Sequence, residues 1–134
     1  MSNSFLVASY KVRLELQRSG NPVVTTRNRI IEIAGVPETH GIVETALLVF
    51  STTWDTWTGS PVVGIYNLAN PLQPILAGWL PSSEFSYWYD LLRSETPLTL
   101  SFNITPIGGA NYVNTIALGT STEPIGEGPA DMSP

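Results

Sequence analysis

The chain has 134 residues, of which 43% are hydrophobic, 13% are charged and none is cysteine, and its formal net charge is −5. This length is enough for one domain with a sizeable core, and the lack of cysteine excludes disulfides, thiolate metal sites and cysteine nucleophiles. The acidic balance argues against a general nucleic-acid binder, because phosphate binding depends on summed cationic charge.

The first predicted element is a strand from Leu6 to Gln17, in which apolar residues at even positions alternate with mostly polar or charged residues. The turn-forming sequence Ser-Gly-Asn-Pro at 19–22 predicts a hairpin whose second strand runs from Val23 to Ile33. Five of the six basic residues lie in this basic hairpin: Lys11, Arg13, Arg18, Arg27 and Arg29.

The register of the hairpin decides where its positive charge lies. A two-residue loop would place Arg27 and Arg29 on the apolar face, so we expect a one-residue slip or a bulge that returns both to the polar face beside Lys11 and Arg13. Like charges that meet across a strand pair are destabilising unless an acidic group answers them. Nearby glutamates and solvent can do so, and so can an acidic partner, a phosphate or the chain's own tail.

Five further strands are predicted from short apolar or alternating segments separated by Gly, Pro and Asn, a pattern typical of antiparallel β proteins. They span residues 42–50, 61–66, 75–80, 98–105 and 112–118. We therefore predict a mainly β fold, an antiparallel barrel or sandwich of about seven strands, formed by a single domain over residues 1–118.

One segment breaks the strand period and predicts a short amphipathic helix over about 83–94. Phe85, Trp88, Tyr89 and Leu92 share one stripe of such a helix, and Ser82 is its expected N-cap. The stripe is expected to pack on the open end or a face of the curved sheet, with a partner or ligand groove as the alternative. A helix among strands is also found in the OB-fold, but five predicted strands before this helix and two after it fit that fold poorly.

Two tryptophans stand three residues apart between predicted strands. Trp54, Asp55 and Trp57 offer aromatic faces beside hydrogen-bonding groups, a combination that suits a sugar ring. The same rings can instead cover the end of the barrel or form the centre of a protein interface. All three interpretations remain open from the sequence.

The segment 119–134 has three acids, three prolines, three glycines and no base, a composition that does not bury a core. Its acids, Glu123, Glu127 and Asp131, are opposite in charge to the basic hairpin. We hypothesise that these two terminal segments mediate assembly, so that truncation after Leu118 changes the association state of the protein.

No nucleophile with an adjacent base and no cofactor motif is present, so we predict a protein that is not an enzyme and has neither cofactor nor metal. His40, the only histidine, is expected in a loop, and Asp90 with Arg93 is expected to form an i, i+3 ion pair. The N-terminal segment lacks the features of a signal peptide or a membrane helix, which predicts a location in the cytoplasm or in an assembled particle.

The leading functional hypothesis is a structural or interaction subunit of a homo-oligomer or larger assembly, such as a particle, shell or virion component. Its expected partners are proteins, most simply copies of itself, rather than nucleic acids or membranes. The alternative is a small carbohydrate- or ligand-binding module that uses Trp54 and Trp57.

Overall fold

The computed structural model describes residues 2–55 and 61–120, which contain seven strands, one α-helix and three short 3-10 turns. The strands are β1 Ser2–Ser19, β2 Val24–Gly35, β3 Thr45–Ser51, β4 Gly64–Asn67, β5 Ile75–Pro81, β6 Thr99–Ile107 and β7 Ala110–Gly119. The helix is α1 Phe85–Ser94, and the 3-10 turns are Thr39–Gly41, Thr52–Trp54 and Ser82–Glu84. Among these residues, no helix has the length and apolar character needed to cross a membrane.

The seven strands close into a barrel in the order β1-β2-β3-β5-β4-β7-β6. Neighbouring strands are antiparallel except for β3 and β5, which run parallel. The prediction of a mainly β barrel or sandwich with one helix is confirmed. The ring has seven strands, whereas an OB-fold barrel has five.

The core lies inside the ring and is filled by alternate side chains of each strand. Along β3, for example, Ala46, Leu48 and Phe50 are buried while the residues between them are partly exposed. The largest fully buried side chains are Phe50, Phe102, Ile31, Ile33, Leu48, Leu76, Leu100 and Val113. This period of two is what a half-buried strand requires.

The helix α1 covers one end of the barrel. Trp88 and Leu92 are its buried residues, and the Phe85 ring packs edge-on against Phe50 with the ring centroids 5.5 Å apart. Tyr89 continues the same stripe but is 36% exposed at the flank of the helix. The predicted helix and its packing on the open end of the sheet are therefore confirmed.

The predicted N-cap role of Ser82 is wrong. The Ser82 N–H donates to Asp55 Oδ1 at 2.8 Å, and its hydroxyl donates to the same carboxylate at 2.9 and 3.0 Å. A carboxylate accepts strong, charge-assisted hydrogen bonds from N–H and O–H groups. Ser82 therefore serves as a donor that ties the start of the helical segment to the end of the turn after β3.

The strand β1 does not keep one apolar face along its whole length. Its register with β2 shifts at Ala8, which forms a β-bulge. Before the bulge, Phe5 is buried and Leu6 is 45% exposed, whereas after it the even-numbered Tyr10 packs against the core. The single alternation predicted from Leu6 to Gln17 is therefore two alternations of opposite phase, joined by the bulge.

Candidate interaction surface: the hairpin arm and its groove

The outer part of the basic hairpin projects beyond the barrel as a two-stranded ribbon. We define the arm as residues 11–29, which include this ribbon and its base. The pairing of β2 with β3 ends at Asn28, and four further residue pairs of β1 and β2, ending at Ser19 and Val24, lie beyond it. At about 3.3 Å per residue, the paired part of the arm extends about 13 Å past the rest of the sheet. The arm is therefore positioned to contact another molecule.

The arginines of β2 lie on the leucine face of the arm. Leu14 pairs with Arg29, and Leu16 pairs with Arg27. The expected return of both arginines to the polar face beside Lys11 is therefore wrong, because the actual register keeps them on the apolar face.

This register is acceptable because the apolar face of β1 is no longer buried once the strand leaves the barrel. Leu14 is 78% exposed and Leu16 is 62% exposed, so an arginine beside them keeps its contact with water. Arg29 also gains an aromatic partner, since its guanidinium carbon lies 5.0 Å from the centroid of the Phe85 ring. No cation has to be buried to form the hairpin.

A groove of about 600 Å³ separates the arm from the capped end of the barrel. Its walls combine apolar and cationic side chains, among them Leu14, Leu16, Phe50, Arg27 and Arg29, while the Glu15 side chain is on the other face of the arm, beside Asn28. The turn before α1 contributes Ser82 and Ser83 to the rim. The groove is therefore chemically suited to a ligand that is partly apolar and negatively charged.

The positive charge of the arm is largely uncompensated in the described part of the chain. None of its five basic residues forms an ion pair within 4.0 Å with a described acid. Lys11 lies across from Glu32 in the register, and Asn28 donates its side-chain N–H to Glu15 at 3.3 Å. With five bases and one acid, residues 11–29 carry a net charge of +4.

Asn28 has a second notable feature, on the face of the arm opposite Arg27 and Arg29. Its side-chain oxygen is buried and has no hydrogen-bond partner among the described residues. A buried acceptor without a donor costs free energy, so this atom is a point at which an additional N–H group would be stabilising.

The described part of the predicted aromatic loop is attached to the barrel. Trp54 is partly buried in a 3-10 turn, and its ring centroid lies 5.9 Å from that of Trp79. Asp55 is occupied by the hydrogen bonds from Ser82, and Trp57 lies outside the described residues. Carbohydrate binding here stays a prediction, which quenching of tryptophan fluorescence by a panel of glycans tests.

Replacing Asp55 with alanine is expected to lower the free energy of unfolding by about 1–2 kcal/mol, because the Ser82 N–H and hydroxyl lose a charged acceptor. Urea denaturation measures this change. Asp55→Asn keeps one acceptor oxygen and is the matched control, expected to lose less. Equal stability of the alanine variant and the parent protein would show that the contact with Ser82 contributes nothing.

Several predicted residues have other positions. Arg18 lies exposed near the tip of the arm, whereas Glu123, Glu127 and Asp131 lie outside the described residues. His40 occupies an exposed turn with a left-handed φ of 67°.

The predicted ion pair between Asp90 and Arg93 is confirmed at 2.8 Å. In residues 2–55 and 61–120, no group of three or more His, Asp or Glu side chains is arranged to hold a metal ion.

A buried polar pair that sequence reasoning missed lies at the end of the barrel away from α1. Glu44 is 7% exposed and Tyr66 is 5% exposed, and the Tyr66 hydroxyl donates to the Glu44 carboxylate. Burial raises the pKa of Glu44 above its ordinary value of 4.5, and the charge of Glu38 raises it further. Burial also raises the pKa of Tyr66, which keeps this phenol protonated and able to donate. The only sequence signal was an acid within the largely apolar run at 42–50.

No protein-family model, curated protein or solved structure matches this chain.

Proposed function

We propose that this protein is a non-catalytic interaction subunit that assembles with copies of itself, alone or within a larger particle. The observation that carries the proposal is a row of large apolar side chains exposed on one face of the arm. They are Val12, Leu14 and Leu16, and the exposed Val23 and Val24 lie at the turn beyond them. An exposed apolar patch of this kind is typical of a protein interaction surface.

Charge supports self-association in particular. The arm carries a net charge of +4, and the segment 121–134 carries three acids and no base. Every copy of the chain therefore brings both an apolar, positively charged surface and a negatively charged segment. Opposite charges of this kind steer encounter and fix the orientation of partners, while burial of the leucines supplies most of the free energy.

Replacing both Leu14 and Leu16 with serine is expected to lower the association constant at least tenfold, because burial of each leucine contributes about 1.5–3 kcal/mol. Light scattering on a sizing column, over a range of protein and salt concentrations, measures the association state. Truncation after Thr120, which leaves β7 intact, is expected to weaken association as well.

The control is the double substitution of Leu72 and Ile107 by serine. These side chains are 55% and 60% exposed but lie outside the arm, so their loss is expected to leave association unchanged. Two results would reject the proposed function: a full chain that stays monomeric under every condition, or a control that weakens association as much as the arm variant.

A further inference from the structure

We infer that the groove beside the arm binds residues 123–127 of a second copy, with sequence Glu-Pro-Ile-Gly-Glu, as an extended segment. Ile125 contacts the apolar walls, and the two glutamates face the arginines of β2. This inference rests on the proposed self-assembly and names the contact that produces it.

The acidic segment has the alternation that an extended ligand needs. In an extended chain, every second side chain points to the same side. Glu123, Ile125 and Glu127 share one phase, so that side presents an acid, an apolar group and an acid in succession. Pro124 favours an extended backbone for itself and for the residue before it. The residue types of the segment therefore favour the extended backbone that this pattern requires.

The groove presents the complementary pattern. Leu14, Leu16 and Phe50 provide apolar wall, and Arg27 and Arg29 lie two residues apart on the same face of β2. Along an extended chain the glutamates stand about 13 Å apart, against about 7 Å for the arginine Cα atoms. The long, exposed arginine side chains can splay to cover this difference, so that each cation meets one carboxylate.

The reach of the chain favours a second copy over the molecule's own segment. β7 ends at Gly119, and the residues just before it line the flank of α1 that carries Tyr87 and Leu91. The groove lies beyond the opposite flank, where Phe85 contacts Phe50 and Arg29.

Glu123 stands four residues past Gly119, a distance of at most about 14 Å. A helix with its side chains is itself about 10–12 Å wide. The chain from Gly119 to Glu123 would therefore use nearly all of its reach to cross α1 in its own molecule. The corresponding segment of a second copy has no such restriction.

Reversal of charge tests this contact in full-length chains. Arg27→Glu with Arg29→Glu, and separately Glu123→Arg with Glu127→Arg, are each expected to lower the association constant at least tenfold, because like charges then meet in the groove. An equimolar mixture of the two variants is expected to associate to within about threefold of the original protein, since each groove again faces a segment of opposite charge. Light scattering of the separate and mixed variants gives these values.

The matched control is Lys11→Glu with Arg13→Glu, which makes the same change of charge on the opposite face of the arm. It is expected to change association less than threefold. If this control weakens association as much as reversal of Arg27 and Arg29, the effect is one of net charge and the assigned groove is wrong.

The remaining outcomes separate this inference from the proposed function. One result would exclude a second copy as the source of the bound segment: the mixture does not associate, but a chain that carries all four substitutions does. The segment would then bind within its own molecule. If the original protein associates and neither reversal affects it, only this contact fails. If the original protein does not associate at all, the proposed function fails with it. Circular dichroism checks that each variant is folded. If the variant with reversed arginine charges does not fold, Arg27→Gln with Arg29→Gln is the milder replacement.

Discussion

Replacement of Phe50 by alanine is expected to lower the free energy of unfolding by about 3–5 kcal/mol. Phe50 is 1% exposed, and its ring centroid lies 5.5 Å from Phe85 and 6.4 Å from Trp88. The ring therefore fills the junction between the barrel and its helical cap. The hydrogen-bonded strands on one side and the helix on the other limit how far this cavity can collapse, which places the cost in the upper part of the usual range.

Urea denaturation measures this loss, and Phe50→Leu is the control that retains most of the buried volume, with an expected loss of less than half as much. Amide hydrogen exchange provides a second measurement. In the alanine variant, the amides of α1 are expected to lose more protection than those of β6 and β7, because the cap loses its main contact with β3. A loss of stability below about 1 kcal/mol would be inconsistent with this role of Phe50.

Replacement of Glu44 by glutamine is expected to stabilise the protein at pH 7 and to remove part of its pH dependence. Burial is the main cause of the raised pKa of Glu44, and the negative charge of Glu38 adds to it. The hydrogen bond from Tyr66 acts in the opposite direction, because it favours the ionised carboxylate. The net result is a buried carboxyl group that resists ionisation.

The sign of the pH dependence follows from this raised pKa. Between the ordinary value of 4.5 and the raised value, the folded protein holds a proton on Glu44 that the unfolded chain has released. The contribution of Glu44 to stability is therefore fully present below pH 4.5 and is lost as the pH rises through the raised pKa. The glutamine variant has no such proton, so its advantage over the original protein grows through this window by up to about 1.4 kcal/mol per pH unit.

Urea denaturation at a series of pH values from acidic to slightly alkaline measures this difference. Glu38→Gln is the informative control, because removal of the neighbouring charge lowers the pKa of Glu44 and shifts the window to lower pH. Parallel pH profiles for the original protein and the Glu44→Gln variant would show that Glu44 titrates normally in the folded state.

The strands and the helix of this fold are predictable because each has a regular period over several residues. The helical stripe that begins at Phe85 is an example, since its four apolar members keep helical spacing. The bulge at Ala8 is not predictable in this way, because Phe5, Leu6 and Val7 are all apolar and both phases of the strand look equally suited to the core. Only pairing with β2 and β6 together determines which phase faces inward.

The candidate site was predicted only in part. The charge of the basic hairpin follows directly from the sequence, but the register of Arg27 and Arg29 does not. The error came from treating the apolar face of β1 as buried along its whole length, whereas this face is exposed at Leu14 and Leu16.

Contacts between distant positions were missed for a related reason. Asp55 and Ser82 are 27 residues apart, and Glu44 and Tyr66 are 22 residues apart. The groove likewise combines residues of β1, β2 and β3 with the turn before α1. No local pattern marks such groups, because closure of the barrel brings them together.

The bulge at Ala8 also determines where the length of this chain can change. Val7 lies opposite Gly35 and Ser9 opposite Ala34, so Ala8 is one residue more than regular pairing requires. Deletion of Ala8 leaves all the remaining side chains of β1 on the faces that they occupy now. Deletion of any single residue between Tyr10 and Arg18 instead inverts the strand from that point to the turn. A lineage of such proteins could therefore gain or lose a residue at position 8 while the barrel and the arm keep their separate surfaces.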